Sequence, residues 1–178
     1  ARLAVPLLEP HRLGRFVGEL DQVVHQPRGV CVVISPWNFP LAILCGMTAA
    51  ALVCGNTVVM KPAEQTPGIA SVLHRMFLEA GCPPECLGFV SGPGETVGAR
   101  LVRDPRTAII AFTGSKAVGL DIIAAAGRTP EEQAHVKKVV CEMGGKNAVI
   151  IDDSADLDEA VKADARTGLT ASSSAAGS

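Results

Sequence analysis

The strongest constraint on this chain is an alternation. Short apolar runs rich in β-branched residues, at 29–34, 57–61, 87–90, 107–112, 137–141 and 148–151, are separated by stretches of helical length and composition at 41–54, 66–80, 95–103, 115–126 and 156–163. Parallel strands cannot be joined by tight hairpins; each needs a crossover of a dozen or more residues, which a helix supplies. Strand, helix, strand repeated along a chain therefore predicts the α/β class, a parallel sheet with helices on its faces. The punctuation agrees. Pro40 suits the first turn of a helix and Gly55-Asn56 its end, while Gly81 and the Pro83-Pro84 pair close the next helix.

A chain of 178 residues is enough for one domain with a sizeable core and too short for two ordinary catalytic domains. The expected layout is an N-terminal segment over 1–27, in which 15–26 alternates as a hairpin arm does, a nucleotide-type domain over 28–165, and a small-residue tail over 166–178. The first residue is Ala, no signal-peptide layout follows, and the whole reads as a piece of something longer.

Charge narrows the partners. Sixteen Lys and Arg against 18 Asp and Glu leave a net charge of -2, which gives no electrostatic footprint for nucleic acid or an anionic bilayer. Aromatics at 3%, with one Trp and no Tyr, leave few platforms for stacking single-stranded bases. The uncharged stretch 35–60 is the one candidate membrane span. Its helical part reaches roughly 21 Å against a hydrocarbon core of roughly 30 Å, so a buried helix is the better reading. The six cysteines lack the spacing of a secreted disulfide scaffold and read as buried thiols of a reducing, cytoplasmic compartment. Cys82 and Cys86 form the one close pair, and no second pair completes a zinc spacing, so no metal site is expected.

In open parallel sheets ligands bind beyond the carboxyl ends of the strands, which gives four strings first claim on function. Ser35-Pro-Trp-Asn-Phe-Pro40 offers the carboxamide of Asn38, read either as a helix N-cap or as a donor to a developing oxyanion. Lys61-Pro-Ala-Glu-Gln-Thr-Pro67 sets a cation and a carboxylate on one rim. That pair is either a solvated ion pair or a clamp on a ribose diol; in the second case Glu64 repels a 2'-phosphate and favours NAD over NADP. Thr113-Gly-Ser-Lys-Ala-Val-Gly119 reads as a glycine turn opening a helix, where free N–H groups and the positive dipole end suit a pyrophosphate. In Cys141-Glu-Met-Gly-Gly-Lys146, Glu142 follows an apolar strand and is read either as a partly desolvated general base or as a structural strand-end carboxylate. Cys141 reads as core, and the four histidines as surface or structural.

Together, in this order, these strings resemble the aldehyde dehydrogenase family, from about residue 28 to 161. Gly94-Glu-Thr-Val-Gly98, the polar connection before Lys137 and Glu142-Met-Gly-Gly-Lys-Asn147 are similar to its glutamate semialdehyde dehydrogenases of proline catabolism, some of which are fused to proline dehydrogenase. The resemblance implies a Rossmann-like, NAD-binding domain with one Gly-x-x-x-x-Gly turn, Gly114 to Gly119. It implies that Lys61 and Glu64 contact the adenosine ribose, Ser115 the pyrophosphate, and that Trp37 walls the cofactor groove. It gives Asn38 the oxyanion amide and Glu142 the general base, with an aldehyde as substrate and a homo-oligomeric parent. In such enzymes a cysteine thiolate attacks the aldehyde, hydride passes to the nicotinamide and water cleaves the thioester. No cysteine follows Cys141, and the tail Ala171-Ser-Ser-Ser-Ala-Ala-Gly-Ser178 lacks the flanking Gly-Gln-Lys-Cys. The chain is therefore expected to be the cofactor half of such an enzyme, inactive alone. The other readings are a non-catalytic module that binds a nucleotide or partner, and a thiol or zinc protein built on Cys82 and Cys86.

Overall fold

The computed structural model describes residues 8–14, 17–145, 150–152, 154–156 and 158–162. Five parallel strands form one sheet in the order β5-β4-β3-β6-β7. In chain order these are β3 (Val30–Ile34), α1 (Ala42–Val53), β4 (Thr57–Lys61), α2 (Pro67–Glu79), β5 (Leu87–Phe89), α3 (Ala99–Arg103), β6 (Thr107–Gly114), α4 (Lys116–Ala126) and β7 (Lys138–Met143). Two short strands precede them, β1 (His11–Arg12) and β2 (Gln22–Val23), paired antiparallel and separate from the main sheet. This pair spans 11–23, so its first strand lies ahead of the segment 15–26 expected as an arm.

Alternation within the strands divides the core in two. Cys31 and Val33 of β3 and Val58 and Met60 of β4 pack with Leu44 of α1 and Ala70 and Leu73 of α2. Ile110 and Phe112 of β6 pack on the opposite face with Val102 of α3 and Ile122 and Ala126 of α4. The central strand β3 is buried on both faces and is apolar throughout, and β6, buried on one face and half-buried on the other, is apolar from Ala108 to Phe112. Asn56 fastens the first crossover: its Oδ1 accepts from the backbone N–H groups of Arg28 (2.8 Å) and Gly29 (3.2 Å), and its Nδ2 donates to the Ala51 carbonyl (3.2 Å). The turn closing α1 is thereby tied to the entry of β3.

Three expectations need correction. β6 does not end at Phe112; it runs on to Gly114, because Thr113 and Gly114 pair with Glu142 and Met143 of β7. The helix expected over 95–103 opens as a wider π turn, Gly94–Gly98, before α3. Ile150 and Ile151 are not in a strand, and residues 148 and 149 of that expected element lie outside the described residues. Residues 158–162 are helical, with the Asp156 carboxylate accepting from the N–H groups of Asp158 and Glu159; Ala163 and the tail lie outside the described residues. No helix among the described residues is long and apolar enough to cross a membrane.

Candidate active site

The chain winds outward from β3 through β4 to β5, then returns to β6 on the other side of β3 and continues to β7. At this reversal the loops beyond β3 and β6 part company, and the crevice between them is the place where open parallel sheets take their ligands.

The loop after β3 begins with Ser35, whose N–H donates to the Lys61 carbonyl at 3.3 Å and whose hydroxyl is buried without a partner among the described residues. Trp37, Asn38 and Phe39 then emerge into solvent, Trp37 with 57% of its surface exposed. The N-cap reading of Asn38 is overturned. The residue ahead of α1 is Leu41, the helix has no side-chain cap, and Asn38 stands three positions too early to reach its first N–H groups. Its carboxamide is exposed and makes no hydrogen bond among the described residues.

The ion-pair reading of Lys61 and Glu64 also fails. Lys61 ends β4 with only 3% of its surface exposed, on the strand face opposite Met60 and so toward α3. Its Cε lies against Gly98, 4.0 Å from where a Cβ would stand. Burial lowers the ammonium pKa, and the negative charges of Glu64 and Glu95 raise it in part. Glu64 is exposed and its Oε2 accepts from the Gly94 N–H at 3.2 Å, which fixes the carboxylate and leaves its other oxygen open.

Gly114 and Gly119 flank the junction between β6 and α4. Gly114 is the last residue of a strand and Gly119 is a buried residue of α4. What both supply is room. A Cβ on Gly114 would stand 2.6 Å from Phe112 Cζ, and one on Gly119 would stand 2.5 Å from Met143 Sδ and 2.9 Å from its Cγ. Ser115 caps α4, its Oγ accepting from the Val118 N–H at 3.3 Å. The N–H groups of Lys116 and Ala117 remain unused by the helix and face the region beyond β6.

Glu142 sits in register with Thr113 at the carboxyl end of β7. The Thr113 hydroxyl donates to Met47 Sδ of α1 at 3.7 Å, so both residues belong to the α1 face of the sheet. Neither the partial desolvation of one reading of Glu142 nor the structural hydrogen bond of the other is seen among the described residues: β7 is an edge strand whose α1 face they leave uncovered, and Glu142 is exposed. Cys141 points to the other face, half-buried with its Sγ 3.8 Å from the Gly119 carbonyl, and burial raises its pKa. That is the core role the sequence predicts.

The rim therefore has two sides. Lys61, Glu64 and Ser115 lie toward the face carrying α3 and α4, whereas Thr113 and Glu142 lie toward the face carrying α1, and Asn38 stands exposed in the loop that leads from β3 to α1. One ligand lying across the carboxyl ends of β3 and β6 would touch both groups.

A second cluster escaped the sequence. Lys137, 7% exposed, donates to the carbonyls of Val102 (2.7 Å) and Asp104, closing the carboxyl end of α3. The Asp104 carboxylate accepts from the Arg106 Nε and Nη2, both at 2.9 Å, and from its backbone N–H. Those bonds hold the carboxyl well below the usual carboxylate range. His135 and Thr107 join the same knot through a ring nitrogen 3.1 Å from the Thr107 carbonyl. A lysine is ordinarily a surface residue, so nothing in the string Val136-Lys137-Lys138 says which one is buried. A cleft of about 340 Å³ lined by Arg103, Ala125, Arg128, Thr129 and Pro130 lies at this opposite edge, away from the rim. Among the described residues no group of three or more His, Cys, Asp or Glu side chains is placed to hold a metal ion.

Sheet order, two-sided helix cover and the crevice at the winding reversal define a Rossmann-like α/β domain. Residues 9–173 match the model of the aldehyde dehydrogenase family, and the chain belongs to that family. It is 44% identical over 162 residues, 91% of its own length, to 1-pyrroline-5-carboxylate dehydrogenase 2 of Bacillus subtilis, and spans 32% of that protein. It is 48% identical over 145 residues to 1-pyrroline-5-carboxylate dehydrogenase of Geobacillus thermodenitrificans, covering 82% of this chain and 28% of that one. Among solved structures, proline utilization A from Bdellovibrio bacteriovorus superposes with a TM-score of 0.83 at 55% identity, over 88% of this chain and 16% of the other. The 1-pyrroline-5-carboxylate dehydrogenase from Thermus with bound NAD superposes at 0.73 with 48% identity, over 76% and 26%. The chain thus spans about a third or less of the relatives it matches.

Proposed function

We propose that this chain is the NAD-binding portion of an aldehyde dehydrogenase that oxidises glutamate semialdehyde to glutamate, and that it does not turn over alone. The observation that carries the reading is the rim itself. Among the described residues, a nearly buried ammonium without a hydrogen-bond acceptor, a carboxylate held by one oxygen, a capped helix start with spare N–H groups and a carboxamide without a hydrogen bond all lie at or just beyond the carboxyl ends of strands of one sheet. Each lacks what a dinucleotide and an aldehyde would provide. The similarity to a Thermus relative with bound NAD supports the same assignment.

NAD, when bound, supplies the acceptor for the hydride. This chain's residues do the rest of what falls to them. Lys61 donates to the adenosine ribose and the open oxygen of Glu64 accepts from it, while Ser115 and the start of α4 receive the pyrophosphate. Trp37 walls the groove. Asn38 donates to the oxygen of the aldehyde as it becomes an oxyanion, and Glu142 takes a proton from the attacking water. No residue of this chain is assigned the nucleophile's role.

Calorimetric titration of the 178-residue chain with NAD, beside an assay for NADH formation with glutamate semialdehyde and with propanal, tests the proposal. Saturable binding that weakens at least tenfold in Lys61→Ala, with no turnover, is the expected result. Turnover by the purified chain, or binding indifferent to Lys61, would overturn it.

A further inference from the structure

The five-residue π turn 94–98 touches both members of the ribose clamp. Its first residue, Gly94, donates its N–H to Glu64, and its last, Gly98, lies against the Cε of Lys61. The residue following Gly94 is Glu95, which is exposed at the same rim. The mouth of this subsite therefore carries two carboxylates around one ammonium, and only Glu64 has a backbone partner aligning it. The charge of each is felt at the Lys61 ammonium.

We infer that Glu95 is a specificity-determining residue: with Glu64 it excludes ligands phosphorylated at the ribose 2'-oxygen, while contributing little to binding of the unphosphorylated dinucleotide. The inference rests on the nucleotide reading of this crevice. A 2'-phosphate brings up to two negative charges to the place where Glu64 meets the ribose diol. Lys61 alone would welcome it; two flanking carboxylates cancel that attraction. Glu64 cannot be removed without losing the diol as well, so its substitution weakens both ligands. Glu95 acts through charge alone, so its substitution relieves repulsion without removing a contact. The competing account is that Glu95 merely complements the positive end of its own helical turn. That account predicts a small change in stability and none in ligand preference.

The test measures affinity for NAD by calorimetry, and for NADP by displacement of NAD, in the 178-residue chain, in Glu95→Gln and in Glu131→Gln. Glu131 is an exposed acid in the connection before β7, at the opposite edge of the sheet, and controls for net charge. At low ionic strength Glu95→Gln should leave NAD affinity within about twofold and tighten NADP by about fivefold, about 1 kcal/mol. The gain should shrink at about 0.5 M salt, where the screening length is only a few ångströms. Glu131→Gln should leave the preference where it was. An unchanged NAD to NADP ratio in Glu95→Gln, or an equal shift in Glu131→Gln, overturns the inference while leaving the nucleotide site intact. Failure of the unsubstituted chain to bind NAD overturns the underlying reading, and this inference with it, before any variant is made.

Discussion

Asn38 and Ser115 show how one type of side chain at a strand end serves different ends. Ser115 immediately precedes α4 and caps it, so Ser115→Ala should cost about 1 kcal/mol of stability in urea denaturation. Asn38 caps nothing, so Asn38→Ala should change stability by no more than about 0.3 kcal/mol, well under the usual loss of a cap. A loss near 1 kcal/mol at Asn38 would reinstate the cap and remove the argument that its carboxamide awaits a ligand. The difference was not legible in the sequence, since Ser35-Pro-Trp-Asn-Phe-Pro40 contains a good capping residue and a good first-turn proline, and only the path of the loop decides that the helix begins at Ala42. Cysteine reactivity follows burial in the same residue-by-residue way. Cys31, fully enclosed in β3, has its thiol pKa pushed up to about 11, whereas Cys54 is exposed beyond α1. Iodoacetamide on the native protein, read by peptide mass mapping, should label Cys54 and leave Cys31 untouched. The sequence reading of all six cysteines as buried thiols holds fully for Cys31 alone, a cysteine between valines in a central strand; Cys54 is exposed and the other four are only partly buried.

At the scale of elements, α4 and β7 are joined by a missing side chain. Gly119→Ala gains helix propensity but drives a methyl group into Met143, and the expected net effect is a loss of about 1–3 kcal/mol. Met143→Ala in the same chain should remove most of that penalty, giving a coupling above about 0.5 kcal/mol in a double-mutant cycle. Additivity would mean that Gly119 is not there to admit Met143. The knot at the other edge predicts a pH response. Because the Asp104 carboxyl is depressed in the folded protein, its stabilisation is fully present above the unfolded carboxylate pKa of about 4 and is lost as pH falls toward the folded value. Asp104→Asn should therefore destabilise the chain at neutral pH by about 1–2 kcal/mol, and flatten the loss of stability seen on acidification below about pH 4. Strand and helix order was readable because the periodicities of sheet and helix differ so plainly. The extension of β6 through Gly114 was not, because it depends on pairing with β7, a contact between segments some thirty positions apart. The exposure of Glu142 was hidden for a related reason: no local pattern in Val-Val-Cys-Glu-Met reveals that β7 stands at an edge.

Across the whole molecule, apolar side chains remain at the surface in groups. Trp37, Phe39 and Leu41 follow one another at the rim, Ile69, Val72 and Met76 line one side of α2, and Val136 lies just ahead of β7 with Val140 within it. Such surface promotes association, and sedimentation should show self-association rising with protein concentration. A monomer at all concentrations would show that these groups are too dispersed to act together. The proposed dinucleotide lies across the carboxyl ends of the sheet strands, its adenosine toward the α3–α4 face and its nicotinamide toward the α1 face. The most direct test of this placement is a crystal structure of the chain grown with NAD. The adenosine ribose is predicted to rest between Lys61 and Glu64, with the pyrophosphate at Ser115 and the nicotinamide directed toward Asn38 and Glu142. An empty crevice at saturating NAD, or a cofactor seated instead in the cleft between Arg103 and Arg128, would contradict the account.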